Sequence, residues 1–176
     1  MDADFRSVPY DHPDVLALII EVQAEYVRRY GGEDTTALDK TMFVPPDGLF
    51  LVGYAENRPA VMGGWRRHDE ERDGPVPGER PAELKRMYVV GWARGRGLAR
   101  ALLAELERTA AEAGCDVMVL EAGRNQPEAL ELYRSAGYAD IPPYGHYVDS
   151  DLSVHLAKPF PCPRGLVSRI GSSTGR

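Results

Sequence analysis

Apolar residues recur at helical spacing in three parts of the chain. The pattern predicts helices over residues 11–30, 98–113 and 125–136. Asp11 and Asn125 stand at the starts of the first and the third helix, and short polar side chains of this kind commonly cap helix N-termini. A glycine follows each helix, and glycine often ends helices because it adopts left-handed backbone angles.

Runs of alternating or continuous apolar residues lie between these helices and predict strands. The first run is a weak strand candidate, the next two form a hairpin with its turn at Glu56 to Pro59, and Gly63-Gly64 in the hairpin indicates a bulge or a close backbone approach. The predicted strand segments are 5–10, the hairpin 49–68, 82–90, 115–122 and 151–160. Helices alternate with strands in the second half, whereas a hairpin dominates the first. We therefore expect an α/β fold with a mixed sheet of about six to seven strands flanked by helices.

The composition is that of one globular domain. The chain has 176 residues, of which 43% are hydrophobic and 27% are charged, and this size permits a sizeable buried core. We expect one domain over residues 1–160. Residues 161–176 lack a periodic apolar pattern and are expected to form a flexible C-terminal tail.

Net charge and cysteine usage argue against several classes of protein. The net charge of −6 disfavours a nucleic-acid partner, because affinity for phosphate backbones comes mainly from lysine and arginine. Cys115 and Cys162 are far apart and lack metal-ligand spacing, so neither a disulfide framework nor a metal site is predicted. The longest early apolar run, 15–20, is too short for a signal peptide or a membrane span. We expect a cytoplasmic protein with no membrane partner.

A loop rich in glycine and arginine joins a predicted strand to a predicted helix within RMYVVGWARGRGLARALLAEL, residues 86–106. A helix N-terminus approached through glycines is suited to bind an anion, because its first amides lack partners and carry the positive end of the helix dipole. A dinucleotide-binding G-x-G-x-x-G pattern fails here because Arg100 stands at the third glycine position, and no P-loop pattern occurs. The alternative for Arg94, Arg96 and Arg100 is a solvated basic face.

Two segments together resemble a known family. Arg94-x-x-Gly97-x-Ala99 resembles motif A of the GNAT superfamily of N-acetyltransferases, and NQPEALELYRSAGY resembles the family's second cofactor segment. The similarity spans roughly residues 48–140 and implies the GNAT acyl-CoA N-acyltransferase fold, with acetyl-CoA as co-substrate and no metal. The resemblance implies that the loop binds the pyrophosphate of acetyl-CoA, that Asn125 lies near the pantetheine arm, and that two main-chain positions bind the pantetheine and the acetyl carbonyl. The implied cofactor-binding residues are Met87, Val89, Arg94, Gly95, Arg96, Gly97, Leu98, Ala99 and Asn125.

The same resemblance implies two catalytic residues. Tyr133 would lie near the thioester sulfur, where a phenol that is still protonated at neutral pH can donate to the departing thiolate. Glu83 stands eleven positions before Arg94, as does the base of the histone-acetylating members, and would take a proton from the attacking amine. The alternative for Tyr133 is a tyrosine of the core, and the alternative for Glu83 is a solvent-facing glutamate paired with Lys85 or Arg86.

The predicted function is transfer of acetyl from acetyl-CoA to a primary amine of a small molecule, by direct attack in a ternary complex. Aromatic residues that are candidates for the acceptor pocket are Tyr26, Tyr30, Trp65, Tyr144 and Tyr147, and they favour an acceptor with an apolar or aromatic portion. The alternatives are a protein- or RNA-directed N-acetyltransferase and a non-catalytic acyl-CoA-binding sensor. A homodimer is a further open possibility.

Overall fold

The computed structural model describes residues 2–161 as a mixed sheet of seven strands flanked by helices. Neighbouring strands are antiparallel, except for one parallel pair, β4 and β5. The strands are β1 (Asp4–Ser7), β2 (Gly48–Ala55), β3 (Arg58–Arg67), β4 (Pro81–Val89), β5 (Val117–Gly123), β6 (Ala139–Asp140) and β7 (Ser153–Pro159), in the sheet order β1-β2-β3-β4-β5-β7-β6. The predicted mixed sheet is confirmed, and the sequence pattern missed only the two-residue strand β6.

Four α-helices accompany the sheet within residues 2–161, and the three long ones are those predicted. They are α1 (Pro13–Tyr30), α2 (Glu70–Asp73), α3 (Leu98–Glu112) and α4 (Pro127–Ser135). The short helix α2 lies in a polar stretch without apolar periodicity, so the hydrophobic pattern gave no indication of it. No helix described for residues 2–161 combines the length and the apolar character needed to cross a bilayer.

The two predicted helix caps are wrong by one residue each. The N-cap of α1 is His12, whose Nδ1 accepts a hydrogen bond from the Asp14 amide at 3.2 Å, while Asp11 pairs with a lysine instead. The N-cap of α4 is Gln126. Asn125 is drawn away from the helix start because its side-chain amide donates to the carbonyl oxygen of Arg29 at 3.0 Å, which ties the start of α4 to the end of α1.

The hairpin of β2 and β3 forms as predicted. Glu56 and Asn57 make a two-residue turn with φ angles of 52° and 58°, typical of a tight hairpin turn. The pairing of β3 with β4 shifts register between Met62 and Gly64, and a Cβ added at Gly63 would lie 3.2 Å from Leu102 of α3. The adjacent glycines therefore mark both a bulge and a close approach of the sheet to α3.

The parallel strands β4 and β5 pair over only three residues, and this feature positions the site. Pro81–Glu83 face Val117–Val119, and no pairing beyond Glu83 is present between these two strands in the described sheet. Arg86 of β4 has a φ of 56°, a left-handed value that bends the strand just past the last pair. The two strands separate beyond this point and leave a gap in the middle of the sheet.

One core extends through most of the fold, and it includes Phe50, Met62, Leu102, Leu106 and Leu156, each at most 1% exposed. The predicted tail, 161–176, lies outside the described residues except for residue 161, and so does Cys162. The division into a domain and a tail therefore stays a prediction.

Candidate active site

The loop between β4 and α3 is an open cradle of backbone amides. Gly95 and Gly97 have φ angles of 72° and 79°, and a Cβ added at either glycine would meet no described heavy atom within 4 Å. Gly97 is the N-cap of α3, and as a glycine it offers no side chain to the amides of Leu98 and Ala99. These first amides of the helix also lack intrahelical acceptors, so the loop fits an anionic group such as a pyrophosphate.

Arg94 is directed from this loop toward α1. Its Nε donates to the carbonyl oxygen of Val89 at 3.0 Å, and its guanidinium forms an ion pair with Glu25. Burial alone would raise the pKa of Glu25, but hydrogen bonds from Arg94 and Arg29 lower it. The carbonyl of Val89, expected to bind the pantetheine through its main chain, is thus engaged by Arg94 here.

The other two arginines of the loop make separate contacts. The Arg96 guanidinium lies 3.3 Å from Glu56 in the hairpin turn and 5.9 Å from the ring of Trp92. Arg100 donates to Ser135 Oγ at 2.7 Å and so connects α3 with the end of α4. The three arginines therefore contact three different parts of the molecule around the amide cradle.

A cleft of about 270 Å³ opens where β4 and β5 separate. Its walls come from α1, the loop after it, the two strands, and the segment before β7. Of the five aromatic residues expected around the acceptor, Tyr26, Tyr30 and Tyr147 line this cleft. Trp65 does not, because it is buried against α3 and its Nε1 donates to Thr109 at 3.0 Å. Tyr144 is buried in a small separate cluster with strands β5 and β7.

Tyr133 of α4 lies in the core and contacts β4. The residue is 7% exposed, and its hydroxyl donates to the sulfur of Met87 in β4 at 3.7 Å. Burial raises the pKa of Tyr133, so the phenol stays protonated at neutral pH. The hydroxyl thus has a proton to donate, as the predicted role requires, and a higher pKa makes complete proton transfer from it more costly.

Glu83 lies in a buried cluster of charges. It is 2% exposed, with one carboxylate oxygen 2.7 Å from Arg66 and the other 2.6 Å from Lys85. Burial alone would raise the pKa of this carboxyl, but Lys85, His68 and Arg66 lower it to about 2. The alternative to a catalytic role was a solvent-facing glutamate paired with Lys85 or Arg86; the pairing with Lys85 is present, but Glu83 is buried and does not face solvent. A carboxylate with so low a pKa is a weak base.

Arg86 and Asp34 form an ion pair at the cleft. The guanidinium lies 3.0 Å from one oxygen of Asp34, and the other oxygen accepts hydrogen bonds from Thr36 and from the Tyr147 hydroxyl. Arg86 therefore pairs with the loop after α1 and not with Glu83. This contact joins the bend in β4 to the opposite wall of the cleft.

Glu121 is a cleft residue that the sequence pattern did not single out. It lies on β5, and its carboxylate accepts a hydrogen bond from Ser153 Oγ at 2.8 Å. Burial raises the pKa of Glu121, against the opposing effects of Ser153 and Lys85. The sequence does contain one indication of a functional role for Glu121. The strand β5 is otherwise apolar, and burying an acid in such a strand costs free energy.

An open amide cradle before α3, a split parallel pair and a cleft within the split define the class of acyl-CoA N-acyltransferases. The acetyltransferase (GNAT) family model matches residues 17–138, so this chain belongs to the GNAT family and is an N-acetyltransferase. An IAA acetyltransferase of Azospirillum brasilense is 33% identical over 146 residues, which cover 83% of this chain and 90% of that protein.

Solved structures agree with this membership. A chain described as an acyl-CoA N-acyltransferase from Klebsiella pneumoniae has a TM-score of 0.70 and 25% identity, covering 89% of this chain and 97% of that one. The PaiA N-acetyltransferase from Thermoplasma acidophilum, solved in complex with coenzyme A, has a TM-score of 0.64 and 15% identity, covering 91% of this chain and all of that one. The expected fold is thereby confirmed.

Proposed function

We propose that this enzyme transfers the acetyl group of acetyl-CoA to a primary amine of a small molecule that carries an apolar or aromatic portion. The observation that carries the proposal is the split between β4 and β5: the cleft, with its aromatic and acidic residues, opens where the strands separate, and β4 continues from there toward the amide cradle. Both substrates can then meet in one ternary complex, and the amine attacks the thioester directly.

The donor side fits the pyrophosphate and pantetheine of acetyl-CoA. The cradle at Gly95 to Ala99 supplies amides and open space for the pyrophosphate, with Arg94 and Arg96 nearby. Beyond Glu83 the edge of β4 that faces β5 lacks its strand partner, so the main chain around Met87 can hydrogen-bond an extended pantetheine arm. The coenzyme A in the Thermoplasma structure supports this choice of donor.

The acceptor side fits a protonated amine attached to an apolar group. Tyr26, Tyr30 and Tyr147 provide aromatic surface, and such faces attract cations as well as apolar groups. Glu33 and Glu121 add negative charge to the cleft, whereas Asp34 is neutralised by its arginine partner. The name of the Azospirillum relative, IAA acetyltransferase, also supports a small-molecule acceptor.

Tyr133 acts in this proposal as the donor of a proton to the departing sulfur. Its protonated hydroxyl lies beside Met87, on the part of β4 that borders the gap. The role of Glu83 as general base stays a prediction, and its ion pairs with Arg66 and Lys85 count against it, because they stabilise the ionised carboxylate.

A thiol-release screen tests the proposal. Purified protein is incubated with acetyl-CoA and, separately, with amino acids, polyamines, aminoglycosides, arylamines, peptides and tRNA, and product formation is checked by mass spectrometry. We expect turnover with small amines that carry an apolar or aromatic group. Acetylation of tRNA or of protein lysines alone would replace the proposal with a macromolecular acceptor, and binding of acetyl-CoA without any turnover would indicate a sensor.

A further inference from the structure

We propose that Arg86 binds a carboxylate of the acceptor, which makes the acceptor an amino acid with an apolar or aromatic side chain. This inference rests on the proposed function, which supplies the amine. Arg86 lies on β4 three positions beyond Glu83, the last residue of that strand paired with β5, and it lines the cleft. The residue therefore belongs to the wall that the acceptor would face.

The Arg86 guanidinium has hydrogen-bond donors to spare. Its side chain is only 6% exposed, and Nη1 lies 3.0 Å from one oxygen of Asp34. Nε and Nη1 are nevertheless buried without a hydrogen-bond partner within residues 2–161. Buried donors that lack an acceptor cost free energy, and the planar guanidinium matches a carboxylate through two parallel hydrogen bonds. An incoming carboxylate would supply the acceptors that these donors lack.

Asp34 holds Arg86 in place without saturating it. One oxygen of Asp34 forms the ion pair, and the other accepts hydrogen bonds from Thr36 and from the Tyr147 hydroxyl. Asp34 is thus fixed by the loop after α1 and by the segment before β7. Because Nε and Nη1 make no hydrogen bond to Asp34, the pair positions the guanidinium and leaves its donors open.

The bend in β4 places two cations in one cleft. Consecutive side chains of a regular strand point to opposite faces of the sheet, yet Lys85 and Arg86 both line the cleft. The φ of 56° at Arg86 breaks the alternation. Left-handed angles are uncommon outside glycine, and such strained residues cluster at binding and catalytic sites. Glycine would adopt this angle more easily, so an arginine here favours a role for the side chain itself.

The charges of the cleft match a zwitterion better than a simple cation. Its lining includes three acids and two bases: Glu33, Asp34, Glu121, Lys85 and Arg86. A polyamine would bring further positive charge toward the two bases, which repel it. An amino acid can place its ammonium group toward the acids and its carboxylate toward Arg86. Its side chain then packs against the three tyrosines of the cleft.

The test uses acceptors that differ only at the carboxylate. The wild-type enzyme is assayed with acetyl-CoA and phenylalanine, tryptophan or leucine, and then with the amides of these three amino acids. Phenethylamine, tryptamine and isoamylamine, which lack the carboxylate altogether, complete the three sets. We expect at least one amino acid to have a KM that is at least roughly tenfold lower than those of its own amide and amine.

Arg86→Met and Arg86→Lys assign this preference to the residue. Methionine removes the charge, and lysine keeps it without the planar arrangement of donors. Arg86→Met should lower kcat/KM for the preferred amino acid by roughly 10²- to 10³-fold, at least about tenfold more than for the matching amine, and Arg86→Lys should restore part of the loss. Comparing enzymes with the same compound cancels the intrinsic reactivity of its amine. Calorimetric affinity for coenzyme A checks that each variant is folded.

Two results would overturn the carboxylate site and leave the proposed function intact. One is a wild type that acetylates the amines or amides at least as well as the amino acids, and this arm is decisive even if Arg86→Met does not fold. The other is an equal loss for the amino acid and the matching amine in Arg86→Met. Failure of the wild type to acetylate any small amine would refute the proposed function, and this inference with it.

Discussion

Tyr133 has a buried hydroxyl whose described partner is a methionine sulfur, a weak acceptor. Tyr133→Phe removes that hydroxyl and keeps the ring, so packing against Tyr138 should persist. We expect kcat to fall by roughly 10- to 10⁴-fold, because the departing sulfur loses its proton donor, while coenzyme A affinity changes little. Steady-state kinetics and calorimetry on the same preparation measure the two effects.

Tyr138→Phe is the matched control for that substitution. Tyr138 is also buried, with its ring centroid 5.7 Å from that of Tyr133, but no described hydrogen bond joins its hydroxyl to β4. Its loss of a hydroxyl should leave kcat unchanged. Equal turnover in Tyr133→Phe and the wild type would assign Tyr133 a purely structural role.

Residue-level expectations succeeded where a local pattern decides the environment. Tyr26 and Tyr30 stand one helical turn apart, so both reach the same side of α1 and the same cleft. Trp65 and Glu83 lie on strands, and the sequence did not show which side of each strand is buried. The ion pairs of Glu83 with Arg66 and of Arg86 with Asp34 depend on long-range packing that a single sequence does not show.

At the level of elements, α3 presents its N-terminus to the loop that begins at Arg94. Gly97→Asn and Gly97→Asp test this directly, because both residues tolerate positive φ better than most and differ mainly in charge. The carboxylate of Gly97→Asp would repel a pyrophosphate at the cradle, so we expect coenzyme A to bind at least roughly tenfold more weakly than to Gly97→Asn. Calorimetric titration of both variants gives the comparison, and equal affinities would place the pyrophosphate elsewhere.

The long helices and the strands could be predicted from periodicity because each buries one face on the core. The exact starts of α1 and α4 could not be predicted, because residues far away in sequence compete for the expected caps. Lys40 pairs with Asp11, and the carbonyl of Arg29 accepts a hydrogen bond from Asn125. The strand β6 has two residues, too few for any alternation to be visible. Element ends thus depended on tertiary contacts, whereas element identity did not.

On the scale of the whole molecule, the short contact between β4 and β5 divides the sheet into two blocks, β1–β4 and β5–β7. The ladder between the blocks has three residue pairs, compared with seven between β5 and β7. A ligand arm that hydrogen-bonds within the gap would replace the missing pairs. Ligands that bind only the folded state stabilise it, and here the added bonds would lie along the join between the blocks.

Amide hydrogen exchange should therefore report occupancy of the gap. In the free protein we expect faster exchange for the amides of residues 84–89 that face the gap than for those in the β2–β3 hairpin, because they lack a strand partner. Saturating coenzyme A should slow amide exchange in residues 84–89 and leave exchange in the hairpin unchanged. Mass spectrometry of peptic fragments measures both rates. Uniform protection, or none, would contradict this. Binding of the donor would then determine how firmly the two blocks of the sheet are held together.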